Sequence, residues 1–235
     1  MNHIFFFIFI FFFLFLIMLF QYFYYYYYSN TLSQEPFQTS KTILLVGDSI
    51  FKNNAYVSDQ HSVEQILQQK HRETFCFAED HATISDIYSQ LDQIPLRFNQ
   101  PNTFLFLSIG GNNIIRTYVD QQNDITDTKQ LDSMVDAYKE LLKSIRTRFP
   151  LIQIILLDIY YPHTLQYKPF HSIIRYWNEQ LHQNIVTTIP NAHLLKISEF
   201  VTQEDDFIFG YEPSINGGKK IAHHILHYSS NSSFP

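Results

Sequence analysis

The chain has 235 residues, 46% of them hydrophobic and 17% aromatic, with 16 Lys and Arg against 22 Asp and Glu, a formal charge of -6. No basic cluster is long enough to suggest nucleic acid as a partner, since Lys219-Lys220 is a pair and not a patch. The single cysteine, Cys76 in an apolar stretch, excludes an intrachain disulfide and reads as core filling, and no Cys/His spacing suggests zinc or another metal.

The first 28 residues are unlike the rest. Ile4 to Phe20 is an uninterrupted apolar run of 17, followed by Gln21 and then Tyr22–Tyr28, six Tyr and one Phe. A spanning helix needs about 20 apolar residues and a signal-peptide core about 7–15, so the run falls between them. A tyrosine girdle suits a membrane interface. No Lys or Arg precedes Lys41 and no small-x-small cleavage site lies near Ser29, so membrane orientation is not readable. Residues 1–28 are expected to be a membrane anchor or signal segment, the alternative being a low-complexity tract outside the fold. Membrane attachment or a secretory route follows from the first reading. Asn231-Ser232-Ser233 is a glycosylation sequon, a weak sign of the same route. Residues 29–40 (SNTLSQEPFQTS) read as a polar linker, and residues 41–235 suffice for one domain with a substantial core.

Within that domain, β-type runs alternate with helical patterns. Strands are expected at Thr42–Val46, Glu73–Phe77, Thr103–Leu107, Gln153–Leu157 and, more weakly, Ala192–Lys196. Short helices are expected at Ser62–Gln69 and Ile84–Leu91. A long one over Leu131–Phe149 is apolar at Leu131, Met134, Val135, Tyr138, Leu141, Leu142 and Ile145, the spacing of a buried face. Phe170–Thr188 behaves likewise, and Ser214–Tyr228 closes the chain. This alternation predicts an α/β fold, a parallel sheet covered on both faces.

In such sheets ligands bind beyond the carboxyl ends of the strands. Gly47-Asp48-Ser49, Ala78-Glu79-Asp80-His81, Gly110-Gly111-Asn112-Asn113, Tyr160-Tyr161-Pro162-His163 and the acidic stretch ending in Glu212-Pro213-Ser214 therefore share one rim. Each has an ordinary reading. Asp48 and Ser49 suit a helix cap, and the Gly-Gly-Asn-Asn run suits a turn. Together they suggest a serine hydroxyl in a cleft with an Asn amide placed to stabilise developing negative charge.

GDSI (47–50), AEDHATISDI (78–87), SIGGNN (108–113) and EPSINGGKKIA (212–222) resemble, in order and spacing, the four motif blocks of the SGNH/GDSL hydrolases, serine esterases and acyl hydrolases on a flavodoxin-like sheet. The similarity spans Ile43 to Ile225. GDSIFKNNAYV and DDFIFGYEPSINGGKKIA resemble a bacterial-type subgroup with Glu-Pro-Ser in the last block. The resemblance implies a three-layer α/β/α sandwich with about five parallel strands. It implies Ser49 as nucleophile, with its own N–H in the oxyanion hole, and Asn112, beside Gly111, as the side-chain donor. Asn113 stands where the family has Asp. His81 stands at the oxyanion glycine, its N–H still expected to serve although a Cβ is now present. Glu212 replaces the base His before Pro213, Phe209 lies where an Asp orients that His, and Asp206 matches the subgroup's Asp six residues earlier.

A serine hydroxyl needs an adjacent base, and a carboxylate near its reference pKa of about 4.3 is a weak one. Two routes stay open: burial raising Glu212 towards neutrality, or a histidine, His81 or His163, in its place. His223 and His224 lie deeper in the last helix. Asp48 is expected to shape the turn, and Tyr160 and Tyr161 either to line the cleft or to pack on the rim. The expected function is hydrolysis of an ester or acylated substrate without a cofactor. The alternative is an inactive SGNH-like binding module tethered to a membrane. A nucleotide-binding flavodoxin-like protein ranks last, because no complete phosphate-binding glycine motif is present.

Overall fold

The computed structural model describes residues 17–24, 41–120 and 129–231. The chain divides into two compact units, Met1–Thr39 and Ser40–Pro235. In the first, residues 17–24 are helical and expose Met18, Phe20 and Tyr22. Among the described residues no helix is long and apolar enough to cross a membrane. Residues 4–16 of the apolar run, the linker 29–40, and Ser232 and Ser233 of the sequon lie outside the described residues. Most of the membrane or signal segment expected from the leader therefore lies outside the described residues.

The second unit is built on strands β1 (Thr42–Gly47), β2 (Thr74–Cys76), β3 (Thr103–Ser108), β4 (Gln153–Leu157) and β5 (Ala192–Leu195). All pair in parallel, in the spatial order β2-β1-β3-β4-β5. Alternating with them are helices α1 (Val63–Lys70), α2 (Ile87–Gln93), α3 (Gly111–Ile115), α4 (Lys129–Arg148), α5 (His171–Gln180) and α6 (Ile215–Asn231). The central strands β1, β3 and β4 are largely apolar runs because the sheet is covered twice. From β1, Ile43 and Leu45 join a core with Val63 and Leu67 of α1 and Ile221 and Ile225 of α6. Leu44 and Val46 face the other way, onto Ile87 of α2, Tyr138 of α4 and Trp177 of α5. The result is the expected three-layer α/β/α architecture.

Local chemistry sets the helix ends. Ser62 caps α1 in a reciprocal box with Gln65, and the Ser214 hydroxyl accepts from the N–H groups of Asn216 and Gly217 at the start of α6. Three segments differ from expectation. The Ile84–Leu91 helix begins as a 3-10 turn, Ile84–Asp86, before α2 proper. The Phe170–Thr188 helix ends early as α5, and Leu181–Ile185 widens into a π turn. Gly111-Asn112-Asn113, read as a turn, opens α3, five residues being too few to show a helical period.

A hairpin of β6 (Phe207–Ile208) and β7 (Glu212–Pro213), also not expected, precedes α6. Each strand is only two residues long, too short for an alternation pattern. With this strand order, the chain reverses direction across the sheet between β1 and β3, the point where doubly wound folds place their ligands.

Candidate active site

Gly47 ends β1 with φ +146, and a Cβ there would lie 2.0 Å from the Ser108 carbonyl oxygen, so only glycine fits. The buried amide of Gln90 on α2 grips this residue from the side. Gly47 N–H donates to Gln90 Oε1 and Gln90 Nε2 donates to Gly47 O, both at 2.8 Å. The chain then turns: Phe51 and Lys52 N–H both donate to Asp48 O, at 3.2 Å. No helix starts here, so Asp48 and Ser49 cap nothing; α1 begins at Val63 with its own cap. Among the described residues the Ser49 N–H has no acceptor within the protein.

Asp48 is buried, and its Oδ1 accepts from Ile50 N–H at 3.2 Å and Ser108 Oγ at 3.3 Å. Burial, and the neighbouring Glu212, push its carboxyl up to about 7, against the pull of the Ile50 and Ser108 hydrogen bonds. Asp48 thus braces the turn through Ile50 N–H and places a second carboxyl near Glu212.

Ser49 Oγ donates to Glu212 Oε1 at 3.0 Å, across 163 residues of sequence. Both residues are buried, at 6% and 4% exposure. Asn53 spans the two loops: its Nδ2 donates to Pro213 O at 3.1 Å, and its Oδ1 accepts from Val63 N–H at 3.0 Å. Burial raises the Glu212 carboxyl to about 7; the Ser49 hydrogen bond opposes this, and the charge of Asp80 adds to it. Glu212 Oε2 is buried with no hydrogen-bond partner.

The serine opens onto a cleft of about 730 Å³, its mouth included. Asp48, Ser49, Ser108, Gly111, Asn112 and Glu212 supply its polar end. Ile114, Ile159, Pro162, Phe170 and Ile174 are among the residues that make the rest, and among the described residues no Lys or Arg lines it. Tyr160 lines it too, its hydroxyl fixed to Tyr211 O at 2.7 Å, whereas Tyr161 packs outside against His171. At Gly110, φ is +120 and a Cβ would strike the Trp177 ring at 2.6 Å, which explains the glycine before Gly111.

The remaining expected residues are distributed as follows. Asn112 faces the cleft, and one N–H of its amide donates to Ala82 O at 2.9 Å. Asn113 Oδ1 accepts from Ile84 N–H at 3.0 Å, tying α3 to the loop after β2. His81 has φ +59, the left-handed backbone that explains a glycine at this motif position. Its N–H donates to Asp80 Oδ1 at 2.8 Å, and its exposed ring lies 3.5 Å from Asp80 Oδ2 and makes no bond to Ser49. His163 is exposed in a separate groove with Lys168 and His171. His224 stacks on Phe200 at 3.7 Å, on α6.

Asp206 is buried away from the serine. Its Oδ2 accepts from Lys220 Nζ at 2.7 Å and from the N–H groups of Thr202 and Gln203 at 2.9 Å. Burial alone would raise its carboxyl, but Lys220 and the two N–H groups hold it below the usual carboxylate value. It therefore anchors the hairpin that carries Glu212. Sequence reasoning missed Gln90 and Asn53, which read as ordinary polar residues of a helix and a loop. The only signal available was a polar residue on an otherwise apolar helix face.

A parallel sheet in this order, with helices on both faces, is the architecture of an SGNH-type hydrolase fold. Solved structures agree. The chain is similar to a member of the lipolytic G-D-S-L family from Veillonella parvula, with TM-score 0.60, 16% identity, and coverage of 81% of this chain and 99% of that one. It is also similar to a variant of an acetyl-xylooligosaccharide esterase from Geobacillus stearothermophilus, with TM-score 0.59, 17% identity, and coverage of 83% and 96%. No protein-family model matches the chain, and no curated protein matches its sequence.

Proposed function

We propose that the protein is a serine hydrolase of esters or acyl groups in which Ser49 is the nucleophile and Glu212 the general base. The observation that carries this reading is the Ser49 Oγ to Glu212 Oε1 hydrogen bond of 3.0 Å, made to a carboxyl whose pKa is about 7. A base of that pKa is half ionised at neutral pH, the range in which proton transfer is efficient. The Glu-Pro-Ser block follows the same logic: Glu212 replaces histidine, Pro213 O is held by Asn53, and Ser214 caps α6.

Ser49 Oγ attacks the carbonyl carbon as its proton passes to Glu212 Oε1. The oxyanion forms against the Ser49 N–H and the second N–H of the Asn112 amide. Collapse expels the alcohol, which takes the proton back from Glu212, leaving an acyl-serine. Water then attacks the acyl carbon, losing its proton to Glu212, and the acid departs with Ser49 restored. The His81 N–H joins the oxyanion donors only when Asp80 releases it. On this reading residues 41–235 are the catalytic domain. The apolar run supports residues 1–28 as a membrane or secretory segment, joined through the linker 29–40.

A second reading, an inactive binding module, draws on one observation: the His81 N–H and one Asn112 N–H are already engaged, so the oxyanion hole is only partly free. Turnover of short-chain esters decides between the two. Hydrolysis that disappears in Ser49→Ala eliminates the binding module, and a folded wild type with no hydrolysis eliminates the enzyme.

A further inference from the structure

The hairpin that carries Glu212 turns through Phe209 and Gly210, with φ of +53 and +83, and Tyr211 N–H donates to Ile208 O at 3.4 Å. Two successive left-handed residues make the hairpin turn that favours Asn-Gly, and a bulky aromatic at its first position is strained. The strain is not repaid by burial, since Phe209 is 69% exposed. An aromatic residue held in this backbone and left in water points to a role outside the fold.

Its surroundings indicate which role. The Tyr56 ring meets Phe209 edge-on, with centroids 6.3 Å apart. The Tyr56 hydroxyl donates to Asp80 Oδ2 at 2.7 Å. The charge of Asp80 helps to raise the carboxyl of Glu212 and the phenol of Tyr211, although burial is the largest cause in both. None of Tyr56, Asp80 and Phe209 lines the apolar cleft. The two rings and the carboxylate therefore stand outside the cleft, with Phe209 at the turn of the hairpin whose second strand carries Glu212.

We propose that Phe209, Tyr56 and Asp80 form a platform for a sugar ring, the alcohol portion of an ester presented to Ser49. A pyranose offers a face of C–H groups, which packs on aromatic rings, and an edge of hydroxyl donors. Asp80 Oδ2 accepts from Tyr56 and lies 3.5 Å from the His81 ring, and Oδ1 accepts from the His81 N–H; a carboxylate has about four acceptor positions, so at least one, on Oδ1, remains for a hydroxyl. A phosphatidylcholine surface would use the rings but offer the carboxylate no hydroxyl donors, and the chain's charge of -6 opposes anionic headgroups. The inference rests on the hydrolase reading only for the ester it places at Ser49.

Phe209→Asn keeps the left-handed turn and removes the ring, and Phe209→Gly does the same should the first variant fail to fold. The kinetic arm compares 2-O-acetyl methyl β-xyloside with ethyl acetate. Losing the ring should lower the ratio of the two kcat/KM values about tenfold, the size of one aromatic contact. The binding arm needs no turnover: saturation-transfer NMR on Ser49→Ala protein should detect the xyloside ring protons, and the signal should fall with Phe209→Asn. If the wild type hydrolyses nothing, the catalytic reading fails while the binding arm still tests the platform. No xyloside binding, an unchanged kcat/KM ratio, or Phe209-dependent binding to phosphatidylcholine vesicles in place of the sugar would each overturn it.

Discussion

Glu212→Gln separates the stability role of Glu212 from its chemistry. In the fold, Glu212 keeps its proton until about pH 7, whereas its ordinary value is 4.5. Between those values the native state binds more protons than the unfolded state, so rising pH removes stability across that window. Holding the carboxylate ionised above it costs about 3 kcal/mol, at 1.36 kcal/mol per pKa unit. Gln is uncharged at every pH, and its carbonyl oxygen still accepts from the Ser49 hydroxyl, so it mimics the protonated acid. Its amide N–H groups meet the same unpartnered pocket as Oε2, which offsets part of the gain at all pH values.

The quantity to measure is therefore the difference in unfolding free energy between variant and wild type, by urea denaturation at acid and alkaline pH. The variant should gain about 3 kcal/mol relative to wild type on going from about pH 4.5 to about pH 8.5. Asp48, whose pKa is raised partly by Glu212, shifts down in the variant and enlarges the gain. Ester turnover should fall by about 10² or more, the usual contribution of a positioned base. A difference independent of pH, or undiminished turnover, would refute the assignment of Glu212 as a buried base.

The other predictions concern the groups that position the serine and the hairpin. Gly47→Ala puts a methyl group 2.0 Å from Ser108 O and should destabilise the domain by about 4 kcal/mol, read from the urea midpoint. Asn53→Ala loosens the tie between the Ser49 loop and Pro213; kcat should fall about tenfold with KM little changed, whereas loss of folded protein alone would leave kcat per folded molecule intact. Lys220→Met strips the buried Asp206 carboxylate of its cation and should cost about 2 kcal/mol, discounted for the partial exposure of Lys220. Because the folded pKa of Asp206 is depressed, its contribution is present above 3.8 and is lost as pH falls through the folded value. The gap between Lys220→Met and wild type should therefore close in acid, and a constant gap would show that Lys220 acts through packing.

How legible the molecule was depended on how far each feature reaches along the chain. Strands β1, β3 and β4 were readable because burial on both faces makes each an apolar run, and α4 because seven buried residues repeat at helical spacing over twenty positions. The hairpin of β6 and β7 was not, and it is what carries Glu212 to Ser49. No local pattern links residues so distant in sequence; the rule that ligands bind beyond the strand ends, and then the resemblance of four ordered blocks, brought them to one rim. The choice among Glu212, His81 and His163 as partner of the serine was open in the sequence, because any of them fits a rim loop. In the fold only Glu212 makes the bond to Ser49, while the ring of His81 turns to Asp80 and His163 sits in another groove. The left-handed backbone of Phe209 left no trace in composition, because a Phe-Gly pair does not announce the turn as Asn-Gly would.

The most direct test of the central claim is the site and pH dependence of modification by a fluorophosphonate, located by mass spectrometry of the labelled protein. A Ser49 nucleophile activated by Glu212 predicts a single adduct on Ser49, formed at a rate that rises with pH to half its maximum near 7, absent in Ser49→Ala and strongly slowed in Glu212→Gln. An adduct on another residue, or labelling of Ser49 that proceeds equally fast in Glu212→Gln, would contradict it.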